Sequence, residues 1–286
     1  MILVTGATGN LGSSVVDQLL KKSTIDSFVV TSSNQDGVDK LASKGLQARL
    51  ANFSQKESLN EAFKGIEKLL LISTMDQNRF EQHKNVIDAA KYQGVKHIIY
   101  TSLAIKDIQT SGVKDLMISH FQTEDYIKSS GLTYTILRNT MYADALTQIL
   151  GENALKQDIN LPGGNGKVPY ALRREMGEGT ANLLLQNNHE NKIYNIVGNK
   201  EYGYQDIANV LSNLSGKSIK YNDISEDDLK NTLKQIGLPD FAIYLHLGTL
   251  YDIKTHQYEI ENKTLEELLG RPTASIEEFL KELFNI

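Results

Sequence analysis

The first residues that could do chemistry form a glycine-rich turn near the start of the chain, T-G-A-T-G-N-L-G. The turn follows an apolar run, Ile2–Thr5, and opens a segment of helical periodicity, Leu11–Lys22. Glycines at Gly6, Gly9 and Gly12 permit a tight turn, close approach of the backbone to a pyrophosphate, and close packing of the helix on the strand. The N–H groups at the start of the helix would then face the phosphates, so this context predicts a dinucleotide site.

A P-loop is the main alternative, and the sequence excludes it. A P-loop ends in Gly-Lys-Ser/Thr, whereas Gly12 is followed by Ser13 and Ser14. A glycine-rich turn without any ligand is the simpler alternative, and a glycine pattern alone is a weak indicator. The preceding strand, the following helix and the βαβ series behind them favour the dinucleotide interpretation.

A Tyr-x-x-x-Lys pair would allow carbonyl reduction, because the lysine lowers the pKa of the tyrosine that exchanges the proton. The chain has one such spacing, Tyr92 to Lys96, but it precedes the fifth predicted strand instead of following it. The helix that should carry the pair, LMISHFQTEDYIKSSG, offers instead His120, Thr123, Glu124 and Tyr126. We therefore predict that Tyr92 and Lys96 are not catalytic.

Hydride transfer to a quinone or another conjugated acceptor needs less from the protein. The cofactor supplies the hydride, and water or a modest acid can protonate the acceptor oxygen. We predict His120 as the acid or orienting group, with an ordinary helix histidine as the alternative. Asn139 is predicted to face the nicotinamide, and Tyr142 to wall the acceptor pocket or simply to pack. We expect His83 on a helix surface, and no metal site, because the other histidines lack metal-ligand spacing.

Short apolar runs that alternate with helical patterns must position these residues. The runs are Ile2–Thr5, Phe28–Thr31, Leu46–Ala51, Lys68–Ile72, Lys96–Thr101 and Thr133–Leu137. This alternation predicts βαβ units with right-handed crossovers, and hence an α/β fold with a Rossmann-type doubly wound parallel sheet. Polar residues follow five of the runs, and they would meet in a crevice at the carboxyl edge of the sheet.

The second half of the chain changes character after the loop LPGGNGKV. We predict an NAD(P)-binding domain over residues 1–150 and a smaller C-terminal α/β substrate-binding domain over residues 151–286, partly interleaved with the first. The predicted elements are one strand at Lys192–Gly198 and helices near Arg173–Gln186, Tyr204–Leu214, Glu226–Ile236, Phe241–Lys254 and Ile276–Phe284. We expect this half to cover the carboxyl edge of the sheet as a cap.

Composition excludes several functional classes. The 286 residues carry a formal net charge of −5, so the chain lacks the electrostatic footprint of a nucleic-acid binder. Without cysteine it cannot use thiol catalysis or disulfides, which fits a reducing compartment. The first predicted strand leaves no room for a signal peptide, and no apolar stretch could span a bilayer. We expect a cytoplasmic protein with no membrane partner.

Several segments together resemble the NmrA-like atypical short-chain dehydrogenases. They are TGATGNLG, KLLLIST with the following QHKNVIDAAK, GVKHIIYTSL, YTILRNTMY, NKIYNIVGNKEYGYQDIANVLSNLSGKSI and TLEELLGRPTASIEEFL. The resemblance is greatest to the branch of type 2 quinone oxidoreductases and triphenylmethane dye reductases, and it covers nearly the whole chain. It implies a Rossmann domain with a small C-terminal domain, NADPH in the cleft, and reduction of quinones or dyes without the Tyr/Lys pair.

The resemblance also assigns site residues by position. The implied cofactor contacts are Gly6, Ala7, Thr8, Gly9, Asn10, Leu11, Gly12, Ser33, Asn52, Phe53, Ser73, Thr74, Thr101, Ser102 and Asn139. His120, Asn139 and Tyr142 are implied at the acceptor side.

Two departures from the family pattern concern the adenosine half of the cofactor. Relatives carry Arg at the position of Ser33, where it grips the 2′-phosphate, so its loss predicts weaker discrimination between NADPH and NADH. Ser32-Ser33-Asn34 itself holds neither an acid for a ribose hydroxyl nor an arginine for a phosphate, which leaves NADP with NAD as an alternative. Asn52 replaces an Asp beside the adenine, a mild change because an amide can still hydrogen-bond the base.

Two functions from different classes fit the sequence. The first is an NAD(P)H-dependent oxidoreductase with a small quinone-like acceptor, and the alternative is a non-catalytic redox sensor that binds the dinucleotide and controls a protein partner. The missing Tyr/Lys pair fits the sensor, whereas similarity to the reductase branch fits the enzyme. The same missing pair argues against an extended-type epimerase or carbonyl reductase. We predict the enzyme.

Overall fold

The computed structural model describes residues 1–151 and 153–286. These residues form nine strands: β1 (Ile2–Val4), β2 (Phe28–Ser32), β3 (Ala48–Leu50), β4 (Lys68–Leu71), β5 (His97–Leu103), β6 (Thr133–Asn139), β7 (Ile159–Asn160), β8 (Lys192–Ile196) and β9 (Tyr221–Asn222). Seven of them form one sheet in the order β3-β2-β1-β4-β5-β6-β8, with every neighbouring pair parallel. The short strands β7 and β9 pair with each other.

Twelve α-helices surround and extend this sheet in the described part of the chain. They are α1 (Asn10–Lys22), α2 (Gln35–Ala42), α3 (Lys56–Ala62), α4 (Arg79–Tyr92), α5 (Lys114–Ser129), α6 (Leu146–Leu150), α7 (Arg173–Leu185), α8 (Tyr204–Ser215), α9 (Glu226–Gln235), α10 (Asp240–Lys254), α11 (Thr264–Leu269) and α12 (Ile276–Phe284). None of these helices has the length and apolar character needed to cross a bilayer.

The central strands are buried on both faces, which explains why they read as continuous apolar runs. Ile99 of β5 packs into the core shared with α1 and α7. Its neighbours Ile98 and Tyr100 point the other way, into the core under α3, α4 and α5. This alternation places successive side chains of one strand in two different layers. The predicted doubly wound parallel sheet is confirmed.

The strand order reverses at β1, which lies between β2 and β4. Ligands of open α/β sheets bind outside the carboxyl ends of the strands at such a switch point. The glycine-rich turn follows β1 directly and therefore lies at this point. Tyr92 instead ends α4 ahead of β5, with 78% of its surface exposed. The Tyr-x-x-x-Lys spacing is thus remote from the carboxyl edge.

The second half of the chain returns to the sheet before it builds a core of its own. Helix α7 packs against α1, and β8 pairs with β6. Residues from Ala143 to Leu280, mainly of α6, α8, α9, α10 and α12, then form a separate apolar cluster. Helices α7 and α11 and strand β8 therefore complete the sheet layer, and α6, α8, α9, α10 and α12 pack as a second layer beside it.

Candidate active site

The turn after β1 has the geometry of an anion cradle. Gly6 has a φ of 61°, which favours glycine, and a Cβ on Gly12 would lie 2.1 Å from the Gly6 carbonyl oxygen. Gly9 occupies the N-cap of α1, and no described side chain caps the helix. The N–H groups of its first turn are therefore available to a ligand, and the helix dipole favours an anion there. The turn fits a dinucleotide pyrophosphate.

The ends of β2 and β3 supply polar groups where the adenosine half of a dinucleotide would lie. Ser33 is exposed, and the neighbouring Asn34 caps α2 by accepting a hydrogen bond from Gly37 N at 2.8 Å. The side-chain oxygen of Asn52 accepts from Ser54 N at 2.9 Å. Its NH2 group is the part of that amide left for a ligand. Phe53 lies beside it, half-buried, at the same edge.

Hydroxyl groups tie the carboxyl ends of β1, β4 and β5 together. Thr5 Oγ1 accepts from Ile72 N at 2.9 Å, and Thr101 Oγ1 accepts from Ser73 N at the same distance. Ser73 and Thr101 therefore lie next to each other, as expected for two residues that line one groove. Thr74 follows directly, half-buried.

Ser102 has its proton committed to a buried ion pair. Its hydroxyl donates to Glu124 Oε1 at 2.6 Å, and the Glu124 side chain has essentially no exposed surface. Arg138 donates to both carboxylate oxygens, at 2.9 and 2.7 Å, and this contact raises the pKa of its guanidinium. Ser102 can thus accept a hydrogen bond from a ligand but has no free proton to donate.

Asn139 ends β6 with an unsatisfied atom. Its side-chain oxygen is buried and has no hydrogen-bond partner among the described residues. Buried polar atoms in native structures normally have partners, so this oxygen is a candidate ligand contact. Tyr142 lies nearby, with the Arg173 guanidinium 4.2 Å from its ring centroid. Burial raises the pKa of the Tyr142 phenol against the opposing influence of Asn139 and Arg173.

His120 lies on α5, with only 8% of its surface exposed to solvent. Its Nδ1 is 2.9 Å from the phenol oxygen of Tyr100 on β5. Burial lowers the pKa of the imidazole well below its usual value, and the charge of Arg79 and the presence of His83 lower it further. The ring is therefore neutral near pH 7. No hydrogen bond within residues 1–151 and 153–286 joins it to Asn139 or Tyr142.

The expectation that His83 lies on a helix surface is wrong. Its side chain is fully buried, and its Nδ1 is 3.1 Å from Thr123 Oγ1 on α5. The sequence of α4 is weakly amphipathic, because polar His83 and Arg79 both face the interior. Burial, followed by the charge of Arg79, lowers the pKa of His83 to about 3.

Arg79 is a buried residue of this region that the sequence did not reveal. Its guanidinium donates to Thr74 O, Leu116 O and Ser119 Oγ at 2.5, 3.0 and 2.8 Å. These bonds join the segment after β4 to the first turns of α5. Arg79 follows the polar stretch MDQN, which predicts an exposed loop, so no local pattern marks it.

Titratable residues do not form a metal site in the described part of the chain. No group of three or more His, Asp or Glu side chains is placed to hold a cation there. The carboxyl edge instead offers an anion cradle, hydroxyls, an unsatisfied amide and a neutral histidine. This set suits a dinucleotide.

A family model described as the NmrA-like family matches residues 1–280. The chain belongs to the NmrA-like family. Over 289 residues this NmrA-like protein is 35% identical to Quinone oxidoreductase 2 of Escherichia coli, with 100% of the chain and 99% of the relative covered. The likeness is thus one of whole proteins rather than of a shared dinucleotide-binding segment.

Two solved structures resemble the NmrA-like protein over its full length. An NADPH-dependent quinone oxidoreductase of E. coli complexed with NADPH superposes with a TM-score of 0.92 at 34% identity, with 100% of both chains covered. The triphenylmethane reductase of Citrobacter sp. gives a TM-score of 0.91 at 32% identity, with 100% and 99% covered. The predicted membership in this family and branch is confirmed.

Proposed function

We propose that this NmrA-like protein is an NAD(P)H-dependent oxidoreductase that reduces quinones or comparable conjugated acceptors. Full-length similarity to quinone oxidoreductases, one of them complexed with NADPH, carries this proposal. The open turn at Gly6–Gly12 and the unsatisfied oxygen of Asn139 support it from the site itself. The cofactor is NADPH, with NADH as an alternative because Ser33 offers no positive charge to a 2′-phosphate.

Bound NAD(P)H supplies a hydride, which is two electrons and one proton, and a second proton from solvent completes the hydroquinone. The protein binds the phosphates at the turn after β1 and accepts a hydrogen bond at Asn139 Oδ1. Ser73 and Thr101 line the groove between them. The chain needs no Tyr/Lys pair for this reaction. That pair activates an isolated carbonyl group, whereas a conjugated quinone accepts a hydride more readily.

His120 is proposed as a hydrogen-bond donor to the acceptor oxygen. A neutral imidazole near pH 7 holds an N–H but has no readily lost proton, so of the two roles predicted from the sequence the orienting one is supported. Ser102 cannot replace it, because its proton is committed to Glu124. A preorganised donor stabilises the negative charge that develops on the acceptor oxygen during reduction.

Three parts of the sequence prediction stay proposals. The first is that residues 151–286 act as a cap that carries the acceptor side. The second is a small-molecule acceptor in place of a protein partner. The third is a cytoplasmic location.

The first experiment is steady-state oxidation of NADPH and of NADH by the purified protein, with and without a small soluble quinone. Acceptor-dependent oxidation is expected with both cofactors. A triphenylmethane dye in place of the quinone tests whether the acceptor class is wider. Tight dinucleotide binding without turnover on either acceptor would overturn the enzyme and favour the sensor.

Replacement of His120 tests the proposed donor. In His120→Ala we expect kcat with quinone to fall about a hundredfold, as when one preorganised donor is removed. The Kd for NADPH, measured by fluorescence titration, should stay within about twofold, since other residues bind the phosphates. His189→Ala is the matched control, because His189 precedes β8 and therefore lies at the amino edge of the sheet, away from the site. Unchanged quinone turnover in His120→Ala would contradict the assignment.

A further inference from the structure

Tyr100 is fully buried between two histidines from different helices. Its ring centroid is 5.3 Å from that of His83 on α4 and 6.1 Å from that of His120 on α5. Its hydroxyl is 2.9 Å from Nδ1 of His120. His120, the proposed donor, is thus hydrogen-bonded to a tyrosine that is itself inaccessible to solvent.

The proton in the Tyr100–His120 contact belongs to the phenol. Burial raises the pKa of Tyr100, so its hydroxyl keeps its proton near neutral pH. A phenol is a stronger donor than a neutral imidazole N–H, and an imidazole nitrogen is a stronger acceptor than a phenol oxygen. Donation from Tyr100 to Nδ1 leaves the single ring proton of neutral His120 on Nε2.

His83 takes the opposite arrangement. Thr123 Oγ1 donates to the carbonyl oxygen of Ser119 at 2.8 Å, so towards His83 it can only accept. Nδ1 of His83 must then carry the proton of that ring and donate to Thr123. Its bare Nε2 is buried and has no partner among the described residues. The two histidines beside Tyr100 therefore differ in which nitrogen can donate.

Burial keeps the ring of His120 neutral, and the nearest charged group acts in the same direction. Arg79 on α4 is held by Leu116 O and Ser119 Oγ at 3.0 and 2.8 Å, both within the turn that precedes His120. A second positive charge beside this buried guanidinium is unfavourable. Glu124, four residues further along α5, is neutralised by Arg138. Protonation of His120 is thus opposed, and among the described residues its hydrogen bond with Tyr100 distinguishes the two neutral forms.

We propose that Tyr100 is a positioning residue that donates its hydroxyl proton to Nδ1 of His120 and fixes the imidazole as the Nε2–H tautomer presented to the acceptor. The inference rests on the proposed function, because it takes His120 as the contact of the acceptor. It extends that function by naming Nε2 of His120 as the donor atom and Tyr100 as the residue that fixes its tautomer.

The tautomer can be read without turnover. Nitrogen-15 NMR of the imidazoles in the purified protein, with the His120 signals assigned by their loss in His120→Ala, distinguishes a protonated Nδ1 from a protonated Nε2. We expect His120 as Nε2–H in the unaltered protein and a mixture of both neutral forms in Tyr100→Phe. His120 found as Nδ1–H in the unaltered protein would overturn the proposal.

Kinetics test whether Tyr100 acts through His120. In Tyr100→Phe we expect kcat with quinone to fall about tenfold, the effect of one lost hydrogen bond on the donor, with the Kd for NADPH unchanged. In the His120→Ala background the same substitution should cost nothing further, because the group it positions is absent. Tyr126→Phe is the matched control, since Tyr126 on α5 donates to Asp88 at 2.7 Å without reaching His120.

A tenfold loss that persists in the His120→Ala background would mean that Tyr100 supports the fold generally, and would overturn the proposal. An equal loss of kcat in Tyr126→Phe would also overturn the proposal. Failure of the proposed function is distinguishable, because absent quinone turnover in the unaltered protein leaves the tautomer measurement intact.

Discussion

Ser33 is the residue that we propose to control the choice between the two nicotinamide cofactors. It is exposed at the end of β2, and its neighbours Ser32 and Asn34 carry no charge. An arginine at this position would form charge-assisted hydrogen bonds to a 2′-phosphate, which NADH lacks. For Ser33→Arg we expect the Kd for NADPH to fall about tenfold, with that for NADH within about twofold. Fluorescence titration of both nucleotides measures the two constants.

A matched arginine elsewhere separates a local contact from a general attraction. Ser43→Arg places the same charge beyond the other end of α2, at another exposed serine. It should leave the ratio of the two constants unchanged. Equal tightening of both nucleotides by Ser33→Arg would show that position 33 does not face the 2′ group.

Residues whose role depends on local backbone geometry could be predicted from the sequence, and those that depend on distant partners could not. The glycine-rich turn is local, because Gly6, Gly9 and Gly12 stand between an apolar run and a segment of helical periodicity that are both visible in the sequence. Tyr100 stands in GVKHIIYTSL, where a tyrosine is typical of a buried strand. Nothing in that stretch shows that its hydroxyl meets His120, and nothing near Arg79 shows that it is buried.

At the scale of elements, long periodic segments were predictable and short ones less so. Helix α12 spans the predicted residues Ile276–Phe284, because its apolar stripe and its Ser275 cap are both in the sequence. The two-residue strands β7 and β9 have no periodicity to detect, and they pair only because the second layer brings them together. The prediction that His83 lies on a helix surface failed for a similar reason, because α5, a separate element, buries it.

The burial of His83 between α4 and α5 leads to a prediction about how the free energy of unfolding changes at acid pH. His83 has a pKa lowered to about 3 in the folded chain, against about 6.5 in an unfolded one. The unfolded chain therefore binds the additional proton, and stability falls as the pH decreases from 6.5 towards 3. This one group contributes a loss of about 1.4 kcal/mol for each pH unit in that window. Chemical denaturation between pH 6.5 and 4.5 measures the slope.

His83→Asn should reduce that slope by about the same amount per pH unit, because asparagine keeps an amide donor for Thr123 but does not titrate. His256→Asn is the control, since the His256 side chain is 43% exposed. An unchanged slope in His83→Asn would mean that His83 is not held neutral in the folded protein.

At the scale of the whole molecule, the second layer is attached to the segment that leads into α5. Gln257 O accepts from Lys106 N at 2.9 Å, and its side-chain oxygen accepts from Asp107 N at 3.0 Å. Asp252 of α10 lies deeper and is fully buried. It accepts from Ser111 Oγ and Gly112 N at 2.6 and 2.7 Å. The helix that carries His120 therefore begins where the two layers meet.

Removal of the Asp252 carboxylate should affect stability and catalysis together. An amide in Asp252→Asn can replace only one of the two acceptor oxygens, so a buried donor loses its partner at a cost of about 1–3 kcal/mol in the free energy of unfolding. Because the start of α5 is loosened, we also expect a lower kcat with quinone at an unchanged Kd for NADPH. Asp240→Asn, at the exposed first turn of the same helix, is the control. Equal behaviour of the two variants would show that the second layer does not position α5, and that His120 depends only on its contacts with β5 and α4.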